Sequence, residues 1–241
     1  MRIHGISFRA NIVVMLLTFS SPAVLGGWFD ETTVTPIVGI TNNTLDYRRA
    51  AASGDRNTTF NSLSVKLGIA GNKWFGSVSG EFPLAPGRFT GGAASSDVIR
   101  SDYSVSIGYP VLPRISVFGG YLLTNIRLAN SLFTENQNDA GPYVGTSIDV
   151  YRGNSSTVSI NAAYANLNGT AVRDGGSGFD VYGTTTGSSF GVTWTGKLGK
   201  DGRTYILSYK NQNFKFNGNS GTNAPQTIDK AYSVVTIAIL L

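Results

Sequence analysis

Cysteine is absent from the 241-residue chain, and the single histidine, His4, falls within the first ten residues. No disulfide framework is available, and an exported chain without one must take its stability from a packed core or from a membrane. Charged residues make up only 14% of the chain, against roughly 25% in an average soluble domain. Long apolar runs are missing too. The longest, AYSVVTIAILL at the end of the sequence, is interrupted by Ser233 and Thr236 and falls short of the roughly 18 residues a helical membrane span needs. What the chain does have is 30 glycines and 11% aromatic residues, together with much Ser, Thr, Asn and Val, a composition that favours strands joined by many turns.

The first 26 residues read differently from the rest. Arg2 and Arg9 precede an apolar stretch from Ile12 to Phe19, and small residues follow in SSPAVLGG. This is the pattern of a secretory signal peptide, with cleavage expected near Val24, Leu25 and Gly26, which leaves residues 27–241 as the working domain. Its removal takes away two arginines and His4, so the formal charge falls from +5 to +3. So small and scattered a charge gives no clustered basic face, and nucleic acid is not expected as a partner.

Beyond the leader, period-two alternation recurs. In SLSVKLGIA, Leu63, Val65, Leu67 and Ile69 share one parity; in DYSVSIGYP, Tyr103, Val105, Ile107 and Tyr109 do. Ten such strands are expected, the others lying in PIVGITNNTLDY, WFGSVSGEF, ISVFGGYLLTNI, PYVGTSIDVY, TVSINAAYANL, SSFGVTWTGKL, RTYILSYKNQNF and KAYSVVTIAILL. The faces of ISVFGGYLLTNI stay open, because both of its parities are apolar. Tight connections (AGNK, PVLPR, RGNSS, GKDG) alternate with polar gaps near 48–60, 85–97, 129–141, 168–180 and 216–228, which read as loops.

Alternating short turns and long loops in an exported chain fit an all-β fold, a ten-stranded antiparallel up-and-down transmembrane β-barrel, because a closed barrel leaves no strand edge unpaired in lipid. An even strand number puts both termini on the short-turn side, expected to be periplasmic, with the loops extracellular. Trp74, Tyr109, Tyr143, Tyr164, Trp194 and Tyr205 fall toward strand ends, where an interfacial girdle would place them. Lys66, Glu81, Arg100, Asp102, Asp149, Lys197 and Lys210 fall on the interior parity, since charges facing lipid are costly. Interior pairing is expected to plug much of so narrow a barrel, Lys66 with Glu81 being one such pair. The competing fold is an exported soluble sandwich or lipocalin-like barrel, whose apolar face would point inward.

The closing strand, with Ser233, Val235, Ile237, Ile239 and Leu241 on one parity, resembles the C-terminal strand of outer-membrane β-barrel proteins, which usually end in an aromatic residue where this chain has Leu241. With the leader and the strand pattern, the whole chain resembles the small porin-like barrels of Gram-negative bacteria. The resemblance implies an outer-membrane location, with lipid, lipopolysaccharide and the barrel assembly machinery as partners.

Residue types also limit the chemistry. Ser–His triads, Cys nucleophiles and His- or Cys-based zinc sites are ruled out for the chain after its leader. Some outer-membrane barrels are proteases or lipid hydrolases, but their sites rely on histidine. Asp97 with Asp102, or Asp174 with Asp180 in RDGGSGFD, remain as carboxylate pairs, and RDGGSGFD reads better as a solvated loop than as a calcium site. No cofactor is expected, and no catalysis. The expectation is a narrow channel or structural envelope barrel, with a surface-binding, adhesin-like role for the loops as the alternative. In that alternative, Arg48, Arg49, Arg56 and Arg88 would be loop cations facing lipopolysaccharide phosphates.

Overall fold

The structure is a computed structural model that describes residues 32–49, 56–89, 95–175, 178–198, 202–219 and 226–241; the leader lies outside them. Eleven strands form: β1 (Thr33–Arg49), β2 (Arg56–Ala70), β3 (Phe75–Pro83), β4 (Gly87–Phe89), β5 (Ser96–Leu112), β6 (Ile115–Ala129), β7 (Thr134–Arg152), β8 (Ser156–Asp174), β9 (Phe179–Leu198), β10 (Arg203–Asn219) and β11 (Gln226–Leu240). Every described pairing is antiparallel, consecutive strands pairing except at β3 and β4, and β1 pairs with β11 to close the ring. β3 and β4 both pair with β5 and form one stave, interrupted where Pro83 and Pro86 cannot donate to the ladder. The barrel therefore has ten staves.

Both ends of the described chain lie at the short-turn end, where Ile37 faces Leu240 and the Leu241 amide donates to the Pro36 carbonyl at 3.0 Å. The turns there are tight: Gly71 N–H donates to the Trp74 carbonyl at 2.9 Å, and Gly153 N–H to the Ser156 carbonyl at 2.8 Å. Between Pro110 and Leu112 the register shifts at a bulge that sharpens the β5–β6 turn.

At the other end the structure corrects the sequence reading. Much of the described part of the five gaps read as loops is strand, residues 50–55, 90–94, 176–177 and 220–225 lying outside the described residues: β7 and β8 each have 19 residues and β9 has 20. Crossing a bilayer takes roughly 9–11 residues of tilted strand, so about half of each long stave projects past the lipid. Arg49, read as a loop cation, is buried on β1, while Arg48 and Arg56 sit at the ends of β1 and β2 and Arg88 is the central residue of β4.

The outer surface shows where the lipid ends. Val105, Ile107, Tyr109, Tyr121, Val144, Tyr164, Phe190, Leu207 and Ile237 are exposed on the outside and belong to a continuous apolar belt. Exposed apolar surface of this extent calls for a non-aqueous surrounding. On the loop side the belt ends in a collar of asparagines: Asn42 donates to Asn61 at 2.9 Å, Asn125 to Asn138, and Asn211 to Ser233 at 3.2 Å. Beyond the collar the polarity of the wall reverses. Apolar side chains now point inward, as Leu45 and Tyr47 do on β1, Leu167 and Ala171 on β8, and Phe214 and Phe216 on β10. The lower half is thus a membrane barrel and the upper half is built like a water-soluble one, which reconciles the two folds that the sequence left in competition.

Two assignments of side-chain direction follow from this geometry. On β6, Val117, Tyr121 and Leu123 point outward, while Phe118 and Leu122 point into the lumen. Tyr143, expected in the girdle, instead faces inward and packs edge-on against Phe118, with ring centroids 6.3 Å apart. The belt also carries a prediction. Ile107→Arg, in its middle, should cost about 2–4 kcal/mol of stability, and Asn42→Arg at the collar about 0–1 kcal/mol. Reversible unfolding in lipid, monitored by gel migration, checks the difference.

Candidate functional site

The interior divides at the same level as the outer wall. On β7 the run TENQNDAG turns Glu135, Gln137, Asp139 and Gly141 inward and leaves Asn136, Asn138 and Ala140 outside. Glu135 is completely buried. It accepts hydrogen bonds from Tyr47 Oη at 3.2 Å, Gln137 Nε2 at 2.7 Å, and Arg173 Nε and Nη2 at 3.0 and 2.7 Å, and it is paired with Arg49. β1 and β7 stand on opposite sides of the ring, so this cluster crosses the lumen. Burial, with Glu135 beside it, pushes the Tyr47 phenol up, so it remains an O–H donor at neutral pH.

Two more contacts cross the same space. Lys230 of β11 pairs with Asp139 of β7, and Thr185 of β9 donates to the same carboxylate. Arg100 of β5 donates from Nε to Asp102 at 2.8 Å and lies 3.3 Å from the ring centroid of Tyr232 on β11. Phe89, Phe214, Phe216, Leu45 and Ile126 fill the gaps, with Phe214 and Tyr232 ring centroids 6.2 Å apart. Gly169 shows how completely the space is used. A Cβ there would come within 2.6 Å of Phe216, 2.7 Å of Thr185 Oγ1 and 2.8 Å of Asp139 Oδ1. Together these groups seal the upper barrel.

Below the seal the lumen is a cavity of about 760 Å³ with both apolar and polar lining. It reaches from the short-turn rim, at Ala70, Phe75 and Leu240, up to Gln212, Phe214 and Ala165. Its wall is rich in hydroxyls because β2, β3, β5 and β10 present Ser64, Ser77, Ser79, Ser104, Ser106 and Ser208 on their inner parity. Some of these bond in pairs, as Ser77 with Ser106 at 2.9 Å and Ser79 with Ser104 at 2.8 Å.

The charges singled out from the sequence fall into three places. Lys66, Glu81 and Lys210 line the cavity. Arg100 and Asp102 belong to the seal. Asp149 and Lys197 sit toward the short-turn end, where Asp149 pairs with Arg152 and accepts from Ser159 at 2.7 Å, and Lys197 is exposed. The expected Lys66–Glu81 pair does not form: Glu81 stands opposite Ser64, and Lys66 opposite Ser79, one inner-face step apart. Asp97 and Asp102 cannot pair as carboxylates either, because they have opposite parity on β5 and Asp97 points outward toward Arg88. In RDGGSGFD, Arg173 joins the seal and Asp180 accepts from the Tyr182 hydroxyl at 3.2 Å; residues 176–177 lie outside the described residues. Among the described residues no group of three or more His, Cys, Asp or Glu is placed to hold a metal ion.

Sequence reasoning missed Glu135, Gln137, Asp139 and Arg173, which fell in segments read as loops. One signal was present. The apolar parity switches within several strands, as on β10, where outward Leu207 and Tyr209 give way to inward Phe214 and Phe216. A strand that continues beyond the lipid edge, inside a filled barrel, produces such a switch.

No protein-family model and no curated protein matches the sequence. Among solved structures, the outer membrane protease OmpT of Escherichia coli is similar over 90% of this chain and 97% of its own, at 12% identity and a TM-score of 0.63. The translocator domain of the autotransporter NalP from Neisseria meningitidis aligns over 86% of this chain and 88% of its own, at 9% identity and a TM-score of 0.48. Ail, the attachment invasion locus protein of Yersinia pestis, aligns over 86% and 97%, at 8% identity and a TM-score of 0.42. The OmpT overlap shows the fold: this chain is an outer-membrane-type β-barrel.

Proposed function

We propose that the protein is a structural barrel of the bacterial outer membrane, closed to passage at its loop end, with the short turns and both termini in the periplasm and the upper half standing clear of the lipid. The observation that carries this reading is the seal. Glu135 of β7 meets Arg49 of β1 from the opposite stave, the Asp139–Lys230 pair and the Arg100–Tyr232 contact each join staves four apart in the ring of ten, and aromatic side chains occupy the space between them. A porin-like pore needs a continuous wet path, and a cross-section filled with paired charges and aromatic rings offers none. Lipid and lipopolysaccharide are its immediate surroundings in this reading.

A second role belongs to the projecting half. Its strands hold the loops above the asparagine collar on a rigid base, the arrangement in which loops commonly carry recognition. Loss of surface binding on trimming the loops, with the barrel still folded, would support an adhesin-like function. An enzymatic reading has less behind it: OmpT is named a protease, but at 12% identity the likeness extends to fold alone, and this chain offers no histidine after His4 and no cysteine.

The test is ion conductance of the refolded protein in a planar bilayer, with heat-modifiable gel migration confirming that the barrel has formed. A folded barrel is expected to be silent. Stable conductance steps from the unmodified protein would overturn the sealed reading.

A further inference from the structure

The seal leaves the cavity beneath it with a blind end, and that cavity holds charge without partners. Lys66 and Lys210 both line it. Among the described residues neither makes an ion pair or a hydrogen bond, and each lies near enough to the other for their charges to interact. Two ammonium groups lining one confined cavity repel, and an anion bound there removes that cost. Close by is a third group without a partner. Gln212 lies two residues from Lys210 on the same inner face, is 8% exposed, and its side-chain Oε1 is buried without a hydrogen bond where it lines the cavity. A buried amide oxygen is costly to leave unpaired.

We infer that this cavity is a binding site for a small anionic solute that also carries hydroxyl groups, such as a sugar phosphate or a sugar acid, taken up from the short-turn end. Lys66 and Lys210 hold the anionic group, Gln212 accepts from a ligand hydroxyl, and the serine wall exchanges hydrogen bonds with the remaining oxygens. The volume suits such a ligand, since small-molecule sites commonly measure about 300–1,000 Å³. Glu81 is the opposing charge in the cavity, set opposite Asp102 and close to Arg100. With Arg100 and Asp102 paired to each other, the cavity retains one net positive charge from Lys66, Lys210 and Glu81. This assignment rests on the sealed-barrel reading for the blind shape of the site and the side from which it is reached.

The experiment is calorimetric titration of the refolded protein in non-ionic detergent with glucose 6-phosphate, and separately with glucose. Saturable binding of the phosphorylated sugar, with none of the neutral one, is expected. Lys66→Met together with Lys210→Met should weaken it by at least about tenfold, the scale of losing charge-assisted hydrogen bonds. Glu81→Gln should strengthen it, a change of opposite sign that damage to the fold cannot imitate. Heat-modifiable migration verifies folding of each variant. The inference fails if folded wild-type protein shows no saturable binding, if glucose binds equally well, or if the double lysine variant binds as before. Conductance recorded on the same preparations keeps the two readings apart. A silent barrel that does not bind overturns the site and leaves the seal, whereas a conducting barrel that binds overturns the seal and supports the site.

Discussion

Glu135→Ala is expected to destabilise the barrel by about 3–5 kcal/mol, the cost of removing one member of a buried charge cluster and stranding the others. Glu135 is the common acceptor for Tyr47, Gln137, Arg49 and Arg173, so its loss leaves two guanidinium groups without that carboxylate inside the upper lumen. They would draw in water, and the same variant should convert a silent barrel into a conducting one. Glu135→Gln keeps the shape and an acceptor oxygen while removing the charge, so it should cost less and conduct less. Urea unfolding in detergent reads the stability, and bilayer recording reads the path. An alanine variant that is stable and silent would assign the seal to the aromatic filling alone.

The Asp139–Lys230 contact supplies the second large effect. Both side chains are nearly inaccessible, and they join staves four apart in the ring of ten across the upper lumen. Asp139→Leu alone and Lys230→Met alone should each cost about 3–5 kcal/mol, because each strands a buried charge. The double variant should recover most of that loss, since an apolar pair of similar volume replaces a buried ion pair at little net cost. A complete double-mutant cycle measures the coupling. If the two single losses simply add, the ion pair is not the unit that holds this level of the barrel together.

The charged residues of the lumen differ in how they appear in the sequence. Lys66, Arg100 and Lys210 interrupt strands whose apolar parity is plain, so their inward direction follows from alternation alone. Glu135, Gln137 and Asp139 alternate with Asn136 and Asn138, and a run in which both parities are polar has no apolar period to read. Arg49 and Arg173 sit beside stretches rich in Ser, Gly and Asn that look like loop from composition. There the backbone ladder continues because neighbouring staves supply hydrogen-bond partners, whatever the composition. Tyr143 was misdirected for another reason: an aromatic near a strand end suits a girdle, although its alternation with outward Val144, and its packing on Phe118, turn it to the lumen.

By itself, then, the sequence determined the all-β class, the ten antiparallel staves, the placement of both ends of the described chain at the short-turn end, and the direction of most side chains within the lipid belt, those of β6 and Tyr143 excepted. All of these rest on period-two alternation between lipid and a polar interior, which is a local property of each strand. The tertiary structure alone decided how far the staves rise past the lipid, which of them face one another across the lumen, and hence that Glu135 meets Arg49 from the opposite stave, besides Arg173 on the next one, while Lys66 and Lys210 remain unpaired above an open cavity mouth. Those outcomes depend on ring closure and register, which bring together residues nearly ninety positions apart in the chain, and no local pattern encodes a contact across the middle of a barrel.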